Sequence, residues 1–237
     1  MIRFDRASKR YPNGHEALNA ASFEVGTGEM VFLTGRSGAG KSTILKLIAL
    51  LERPTRGLVL VNGHNTAALS TRRIPAFRRE LGVVFQDHRL LTERSIFDNV
   101  ALPLHAAETG FSLKEIDRRV RAALDQVGLL NRAAALPLEL SVGEQQRVGI
   151  ARAVVSKPKL IIADEPTGNL DPALSLEIMA LFRRFNDVGV TVVIATHDLD
   201  IVKAWGLREI IVESGRVQAA AAAPAPALDL PHMEAQR

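Results

Sequence analysis

Short apolar runs alternate with longer amphipathic stretches along most of the chain. Runs of this length that are bounded by polar or glycine residues are typical of buried strands. They predict strands at residues 2–4, 21–25, 30–34, 58–61, 82–85, 160–163, 191–195 and 209–212. Because strands and helical patterns alternate, we expect a largely parallel sheet flanked by helices.

Between Asp87 and Lys157 the strand signal disappears and helical periodicity takes over. The periodicity is clearest over residues 113–127 and 144–154. This part of the chain, about 87–157, predicts a helical subdomain inserted between strands of one domain that covers residues 1–217. From residue 218 onward the chain is rich in alanine and proline and cannot build a core, so we expect a disordered tail over 218–237.

The composition excludes several kinds of site and favours a protein that does not cross a membrane. The chain has 237 residues and no cysteine, which excludes disulfides and thiolate metal sites. No apolar run approaches the ~20 residues that a bilayer span needs, and the first residues lack the apolar segment of a signal peptide. The net charge of +4 is carried by scattered arginine clusters, which we interpret as solvated helix faces. We therefore expect a cytosolic protein.

A phosphate-binding pattern follows the strand predicted at 30–34. The pattern G-x-x-x-x-G-K-[ST] is present as Gly35-Arg36-Ser37-Gly38-Ala39-Gly40-Lys41-Ser42, and a helical stretch comes next. Glycines let backbone N–H groups close around phosphate oxygens, Lys41 reaches the outer phosphates, and Ser42 offers a hydroxyl to Mg²⁺. The positive end of the helix also attracts the anion. These features predict a nucleotide-binding protein.

The strand at 160–163 is followed by two carboxylates, Asp164 and Glu165. In an open α/β sheet, ligands bind beyond the carboxyl ends of the strands, so both acids are expected near the phosphate loop. We expect Asp164 to hold Mg²⁺, directly or through water. Glu165 is placed to orient and deprotonate an attacking water. The alternative is a charged strand exit before the turn at Pro166.

Polar residues end two more of the predicted strands. Gln86 follows the strand at 82–85, and His197 comes shortly after the strand at 191–195. Taken alone, either would more often be an ordinary surface residue. Together with the phosphate loop and the Asp-Glu pair, they predict one composite site at a single edge of the sheet.

A further helix start lies at Ser141, where Glu144 three residues on completes a capping box. The simple interpretation is a capped helix; the alternative is a second anion site, made by the Ser141 hydroxyl and the Gly143 amide. The segment Leu140-Ser141-Val142-Gly143-Glu144-Gln145 resembles the signature sequence of ATP-binding cassette (ABC) ATPases. The order of phosphate loop, Gln86, signature, Asp164-Glu165, Asn169-Leu170-Asp171 and His197 is similar to that family across residues 1–217.

This resemblance implies an α/β P-loop fold with a mostly parallel sheet core, an antiparallel β subdomain and an inserted helical subdomain. It implies hydrolysis of ATP to ADP and phosphate with Mg²⁺. It also implies a head-to-tail homodimer, in which the phosphate loop of one subunit and Ser141 to Gly143 of the other enclose each ATP.

The resemblance also implies roles for single residues. Tyr11 would stack on adenine, Thr43 would join the ATP contacts, His197 would contact the γ-phosphate, and Gln86 would sense Mg²⁺ and a membrane partner. Asp171 resembles the aspartate that contacts the second subunit, although Asp171-Pro172 also fits an N-cap followed by proline.

Val142 departs from the family pattern, which usually has glycine there. A β-branched side chain tolerates positive φ poorly, so we expect a shifted signature loop or slower hydrolysis.

The resemblance is most specific to the cell-division members of the family, and it is carried by segments at 2–12, 14–18, 84–91, 97–104 and 163–171. These members imply an FtsX-like transmembrane partner at the cytoplasmic face of the bacterial inner membrane, which controls peptidoglycan hydrolysis. Lipoprotein-releasing and efflux ATPases share the sequence at 166–171, and an ATP-gated division scaffold is a further alternative. No nucleic-acid partner is expected, because no long heptad segment interrupts the chain.

Overall fold

The computed structural model describes residues 1–105, 110–168 and 170–218. The strands are β1 (Ile2–Arg10), β2 (Glu16–Val25), β3 (Met30–Thr34), β4 (Arg56–Val61), β5 (His64–Asn65), β6 (Leu81–Val84), β7 (Leu160–Asp164), β8 (Thr191–Ala195), β9 (Arg208–Glu213) and β10 (Arg216–Gln218). The α-helices are α1 (Lys41–Ile48), α2 (Ile74–Arg79), α3 (Ile96–His105), α4 (Leu113–Gln126), α5 (Val142–Val154), α6 (Pro172–Asp187) and α7 (Leu199–Trp205). The tail expected over 218–237 lies, beyond Gln218, outside the described residues.

The central sheet has six strands in the order β10-β9-β3-β8-β7-β6. Neighbours from β9 to β6 are parallel, and only β10 pairs antiparallel, with β9. β3 and β8 are buried along their whole length, as expected for parallel strands that are covered on both faces. The predicted, largely parallel α/β core is confirmed.

A second, antiparallel sheet has the order β2-β1-β4-β5. β1 and β2 are longer than the predicted strands at 2–4 and 21–25. Register shifts interrupt the pairing of β1 with β2 after Phe4, and Arg6 has φ of 44°. These irregularities break the strict alternation that marks a strand in the sequence, so the pattern revealed only the ends of the hairpin.

The two faces of the central sheet pack against different layers. One core joins the antiparallel sheet and α1 to β3, through side chains such as Phe4, Ile44 and Leu33. The other core joins the opposite face to α3, α4, α5 and α6. α4 and α5 lie where the helical periodicity predicts them. Among the described residues, no helix is long and apolar enough to span a membrane.

Candidate nucleotide-binding site

The phosphate loop connects β3 to α1 through a turn that depends on glycine. Gly35 has φ of 143°, and Gly40, the N-cap of α1, has φ of 116°. A Cβ on Gly35 would overlap the carbonyl oxygen of Val212 in β9, and one on Gly40 would lie 2.7 Å from the Ala17 carbonyl oxygen. Only glycine combines this φ with such a close backbone approach. Glycine at these positions therefore allows the tight turn that a phosphate-binding loop needs.

Lys41 is buried at the start of α1. Its Nζ donates to the carbonyl oxygen of Gly35 at 2.7 Å and to that of Arg36 at 3.4 Å. The same Nζ lies 3.6 Å from Oε1 of Glu165. The ammonium group thus joins the loop to the carboxylate that the sequence predicts as the base.

Ser42 and Asp164 meet at the end of β7. The Ser42 hydroxyl donates to Oδ1 of Asp164 at 3.3 Å. Burial raises the pKa of Asp164, and the charge of Glu165 raises it further, while the Ser42 hydrogen bond lowers it. A divalent cation would offset this burial of a carboxylate, and the hydroxyl and carboxylate oxygens are ligands that suit Mg²⁺. The donor set therefore fits the ion that the sequence predicts.

Glu165 and His197 form the next contact along this edge. Oε2 of Glu165 lies 2.9 Å from Nδ1 of His197 and accepts from the His197 backbone N–H at 3.3 Å. Glu165 has φ of 48°, which is unfavourable for a residue with a Cβ. Its N–H donates to the Ala195 carbonyl at 2.9 Å, so neighbouring backbone holds this conformation.

The sheet order explains which predicted residues come together. β3, β8 and β7 are adjacent, so the phosphate loop, His197 and the Asp-Glu pair lie side by side. Gln86 follows β6 at the sheet margin, where it is exposed. Within residues 1–105, 110–168 and 170–218, no hydrogen bond or ion pair joins Gln86 to Lys41, Ser42 or Asp164.

Tyr11 lies beside the start of α1. Its hydroxyl is 3.4 Å from Oγ1 of Thr43, and Nζ of Lys9 lies 5.1 Å from the ring centroid. The half-buried ring therefore sits next to the helix that the phosphate loop opens.

Ser141 is the N-cap of α5 and forms the predicted capping box. Its hydroxyl accepts from the Glu144 N–H at 3.3 Å, and Oε2 of Glu144 accepts from the Ser141 N–H at 2.8 Å. In the part of the chain that the structure describes, no hydrogen bond or ion pair links this segment to the phosphate loop. Asp171 is likewise an N-cap, accepting from the Leu174 N–H at 3.0 Å, so the capping alternative holds.

The backbone conflict expected at Val142 is wrong. Val142 is the first residue of α5, and it is absent from the residues that have positive φ. The β-branched side chain is half exposed and meets no backbone restriction there. Gly143 has a different constraint, because a Cβ there would overlap the Leu174 side chain of α6.

One wall of the site was missed by the sequence reasoning. A cavity of about 880 Å³ beside the phosphate loop is bordered by His197 and by residues of β9 and the turn after it, including Glu209 and Val212. Glu209 also accepts from the Thr34 hydroxyl at 3.2 Å. β9 lies far from the phosphate loop in sequence and carries no motif, so only the pairing of β3 with β9 reveals it.

Comparisons with known proteins agree with this geometry. Residues 18–168 match the family described as ABC transporter. The chain is 54% identical over 217 residues to the cell division ATP-binding protein FtsE of Escherichia coli K12, covering 92% of this chain and 97% of that protein. It is 46% identical to FtsE of Bacillus subtilis over 215 residues, covering 91% and 93% of the two chains.

Solved structures give the same result for the fold. The dimeric ATP-binding cassette MJ0796, in a post-hydrolysis state bound to ADP and Pi, superposes with a TM-score of 0.85 at 34% identity. That match covers 94% of this chain and 98% of the other. The predicted fold class and ATPase activity are confirmed. The chain belongs to the ABC transporter family of ATP-binding cassettes.

Proposed function

We propose that this chain is the ATP-hydrolysing subunit of an FtsEX-like complex that acts in bacterial cell division. It binds the cytoplasmic face of the inner membrane peripherally, through an FtsX-like transmembrane protein that controls peptidoglycan hydrolysis. The contact of Lys41, Glu165 and His197 at one edge of the sheet carries the ATPase assignment. The identity to FtsE proteins supports the assignment to cell division.

The phosphate loop and Lys41 bind the phosphates of ATP. The loop N–H groups and the N-terminus of α1 face the anion. Lys41 exchanges its contacts with the Gly35 and Arg36 carbonyls for the outer phosphates. Ser42 and Asp164, which already contact each other, would hold Mg²⁺ through their hydroxyl and carboxylate oxygens, and Gln86 would be a further ligand. When bound, the ion neutralises charge on the phosphates.

Glu165 acts as the general base. His197 occupies Oε2 and fixes the orientation of the carboxylate. Oε1 faces Lys41 at 3.6 Å, and it becomes available to a water molecule once Lys41 turns to the phosphate. A carboxylate that is held in this way can orient the water and accept its proton. His197 also borders the cavity beside the phosphate loop, and we assign it a contact with the γ-phosphate on that basis.

A second copy of the chain completes the site. Ser141 and Gly143 are the start of a capped helix, which provides an N-terminal anion site. Among the described residues, no hydrogen bond or ion pair joins them to the phosphate loop of their own chain, so we assign them to the ATP of the partner subunit. Asp171 is the N-cap of α6, whose Leu174 packs against Gly143 at the start of α5. Asp171 therefore lies near the segment that we assign to the ATP of the partner subunit. Tyr11 and Thr43 contact the nucleotide from the phosphate-loop side.

We assign the binding site of the transmembrane partner to a groove lined by the strand that precedes Gln86. A cavity of about 430 Å³ is lined by apolar side chains that include Leu81, Val83 and Phe85. Arg78 and Arg79 also border it, which favours an acidic, partly apolar segment. Because β6 leads from this groove directly to Gln86, an occupant is placed to affect the ATP site.

Co-purification tests the assignment to cell division. The full-length chain is co-expressed with an FtsX-like protein or with the transmembrane subunit of a lipoprotein-releasing complex. We expect a stable complex with the first only. We expect Val83→Asp to abolish it, while Lys203→Asp, at an exposed position of α7 that does not line the groove, should not. A complex with the lipoprotein-releasing subunit alone would overturn the division assignment and leave the ATPase assignment intact.

A further inference from the structure

Arg152, near the end of α5, holds the loop that follows β6. Its guanidinium donates to the carbonyl oxygen of His88 at 2.5 Å and to that of Arg89 at 2.7 Å. Burial lowers the pKa of Arg152 from its ordinary value, and the nearby Arg89 lowers it further. A half-buried guanidinium whose donors go to backbone carbonyls is a fixed structural contact rather than a solvated surface charge.

The loop that receives these hydrogen bonds has an unusual backbone. His88 and Arg89 are consecutive and have φ of 53° and 48°. Two successive residues with a Cβ rarely adopt this conformation, which persists only where other contacts hold it. The loop closes on itself through Arg89, whose guanidinium lies 4.2 Å from the Phe85 ring centroid and 3.1 Å from Asp87.

Two side chains of α5 contact the loop from outside it. Among the described residues, Arg152 is the only side chain of another element that donates to backbone carbonyls of residues 86–89, while burial lowers the pKa of His88 and a side-chain hydrogen bond with Gln146 raises it. Gln86 lies two residues before His88, so fixing the two carbonyls also fixes where Gln86 can reach. Without Arg152, the two backbone carbonyls in the unfavourable part of the loop would lose their hydrogen bonds from α5.

The same helix begins at Ser141. With a rise of 1.5 Å per residue, Arg152 lies about 17 Å along α5 from Ser141. The helix between them is continuous and packs into the core through buried residues such as Val148 and Ile150. A displacement of the Ser141 end of α5 would therefore also displace the Arg152 side chain at the other end.

We propose that Arg152 is a positioning residue for ATP hydrolysis, which holds the loop at 86–89 and so places Gln86 relative to the helix that starts at Ser141. This inference rests on the proposed function, in which Ser141 contacts the ATP of the partner subunit. Through Arg152, nucleotide binding across the dimer interface changes the position of Gln86 in the subunit that donates Ser141.

Two variants of Arg152 test the proposal in the full-length chain. Arg152→Met removes the donors and keeps much of the apolar stem, whereas Arg152→Lys keeps the charge and a single amine donor group. We expect Arg152→Met to lower kcat by about tenfold and to change KM for ATP by less than about twofold, and Arg152→Lys to recover part of the loss. Arg184→Met is the matched control, because Arg184 also donates to a backbone carbonyl, that of Gln126, away from the site.

A double-mutant cycle separates positioning from general structural support. If Arg152 acts through Gln86, Arg152→Met has no further effect on kcat in a Gln86→Ala background. Hydrogen exchange gives a second readout without nucleotide: we expect amides at 86–91 to exchange faster in Arg152→Met, with those of α5 unchanged. If Arg152→Met fails to fold, Arg152→Lys carries both measurements.

The outcomes are distinguishable. The same fold loss in both backgrounds, or unchanged exchange at 86–91, would overturn the role of Arg152 and leave the ATPase assignment standing. A wild-type chain that does not hydrolyse ATP, alone or with its transmembrane partner, would instead contradict the proposed function.

Discussion

Glu165 and His197 are bound to each other through one carboxylate oxygen. Oε2 of Glu165 lies 2.9 Å from the His197 ring Nδ1 and accepts from the His197 backbone N–H. The other oxygen, Oε1, faces Lys41. The two oxygens therefore have different tasks: one holds the orientation of the carboxylate, and the other is left for a reacting water.

Removing the negative charge of Glu165 tests its role as the base. Glutamine can still accept the His197 hydrogen bonds but cannot take a proton from water. We expect Glu165→Gln to lower kcat by about a hundredfold or more, with ATP binding retained. Phosphate release measures kcat, and size-exclusion chromatography should show an ATP-bound dimer accumulating.

Glu177→Gln is the matched control, because Glu177 is an exposed carboxylate that pairs with Arg147. Phosphate release by Glu165→Gln at the rate of this control would exclude Glu165 as the base.

His197→Ala should have a smaller effect than Glu165→Gln. The substitution removes the Nδ1 contact, but the backbone N–H at 197 can still donate to Oε2. We expect a loss in kcat of about ten- to hundredfold, since the base is present but less well oriented. Steady-state kinetics of both variants, measured side by side, decides this order. A loss equal to that of Glu165→Gln would mean that His197 does more than orient the carboxylate and contact the phosphate.

Two glycines of α5 should respond to alanine in opposite directions. A Cβ on Gly143 would overlap the Leu174 side chain, and we expect Gly143→Ala to lower the free energy of unfolding by about 1–3 kcal/mol. Nothing lies within 4 Å of a Cβ on Gly149, so Gly149→Ala should raise it by about 0.5–1 kcal/mol. Urea titrations measure both.

The double variant Gly143→Ala with Leu174→Ala provides a check on the mechanism. Truncating Leu174 removes the overlap, so the cost of Gly143→Ala should shrink in that background. An unchanged cost would show that the close packing of α5 against α6 is not its cause.

The capping box at Ser141 predicts a pH dependence of stability. Hydrogen bonds from the Ser141 backbone and hydroxyl lower the pKa of Glu144 below its ordinary value of 4.5. A carboxylate whose folded pKa is lowered stabilises the fold above its ordinary pKa, and this contribution is lost as pH falls through the lowered value. Glu144→Gln should therefore lower Tm at pH 7, with a difference that narrows below pH 4.5. A difference that stays constant with pH would contradict the role of the charge.

The sequence predicted which residues lie at the edge of the sheet where the parallel strands end. Glu165 and His197 lie next to each other, as expected for residues that follow adjacent parallel strands ending at the same edge of a sheet. Gln86 follows the marginal strand β6, so the same rule puts it at this edge, but within residues 1–105, 110–168 and 170–218 no hydrogen bond or ion pair joins it to Lys41, Ser42 or Asp164. Strand order in space could not be derived from strand order along the chain.

Contacts between distant segments without a motif were beyond prediction. The approach of the Val212 carbonyl to Gly35 depends on the pairing of β3 with β9, and the hydrogen bonds of Arg152 depend on how α5 lies against β6. At Val142 the sequence predicted a backbone conflict that the structure does not have. The expected conflict assumed a left-handed backbone, but the capping box starts α5 one residue after Ser141 and gives Val142 an ordinary conformation.

The central claim is that each ATP is hydrolysed at a site shared by two copies of the chain, and subunit mixing tests it most directly. Lys41→Ala disables the phosphate loop, and Ser141→Arg disables the signature segment, so each homodimer should be inactive. A heterodimer of the two variants contains one intact pair, made by Lys41 of one chain and Ser141 of the other. We expect randomly mixed, differently tagged chains to recover about a quarter of wild-type kcat. Heterodimers that co-purify through both tags but hydrolyse no ATP would contradict the shared site.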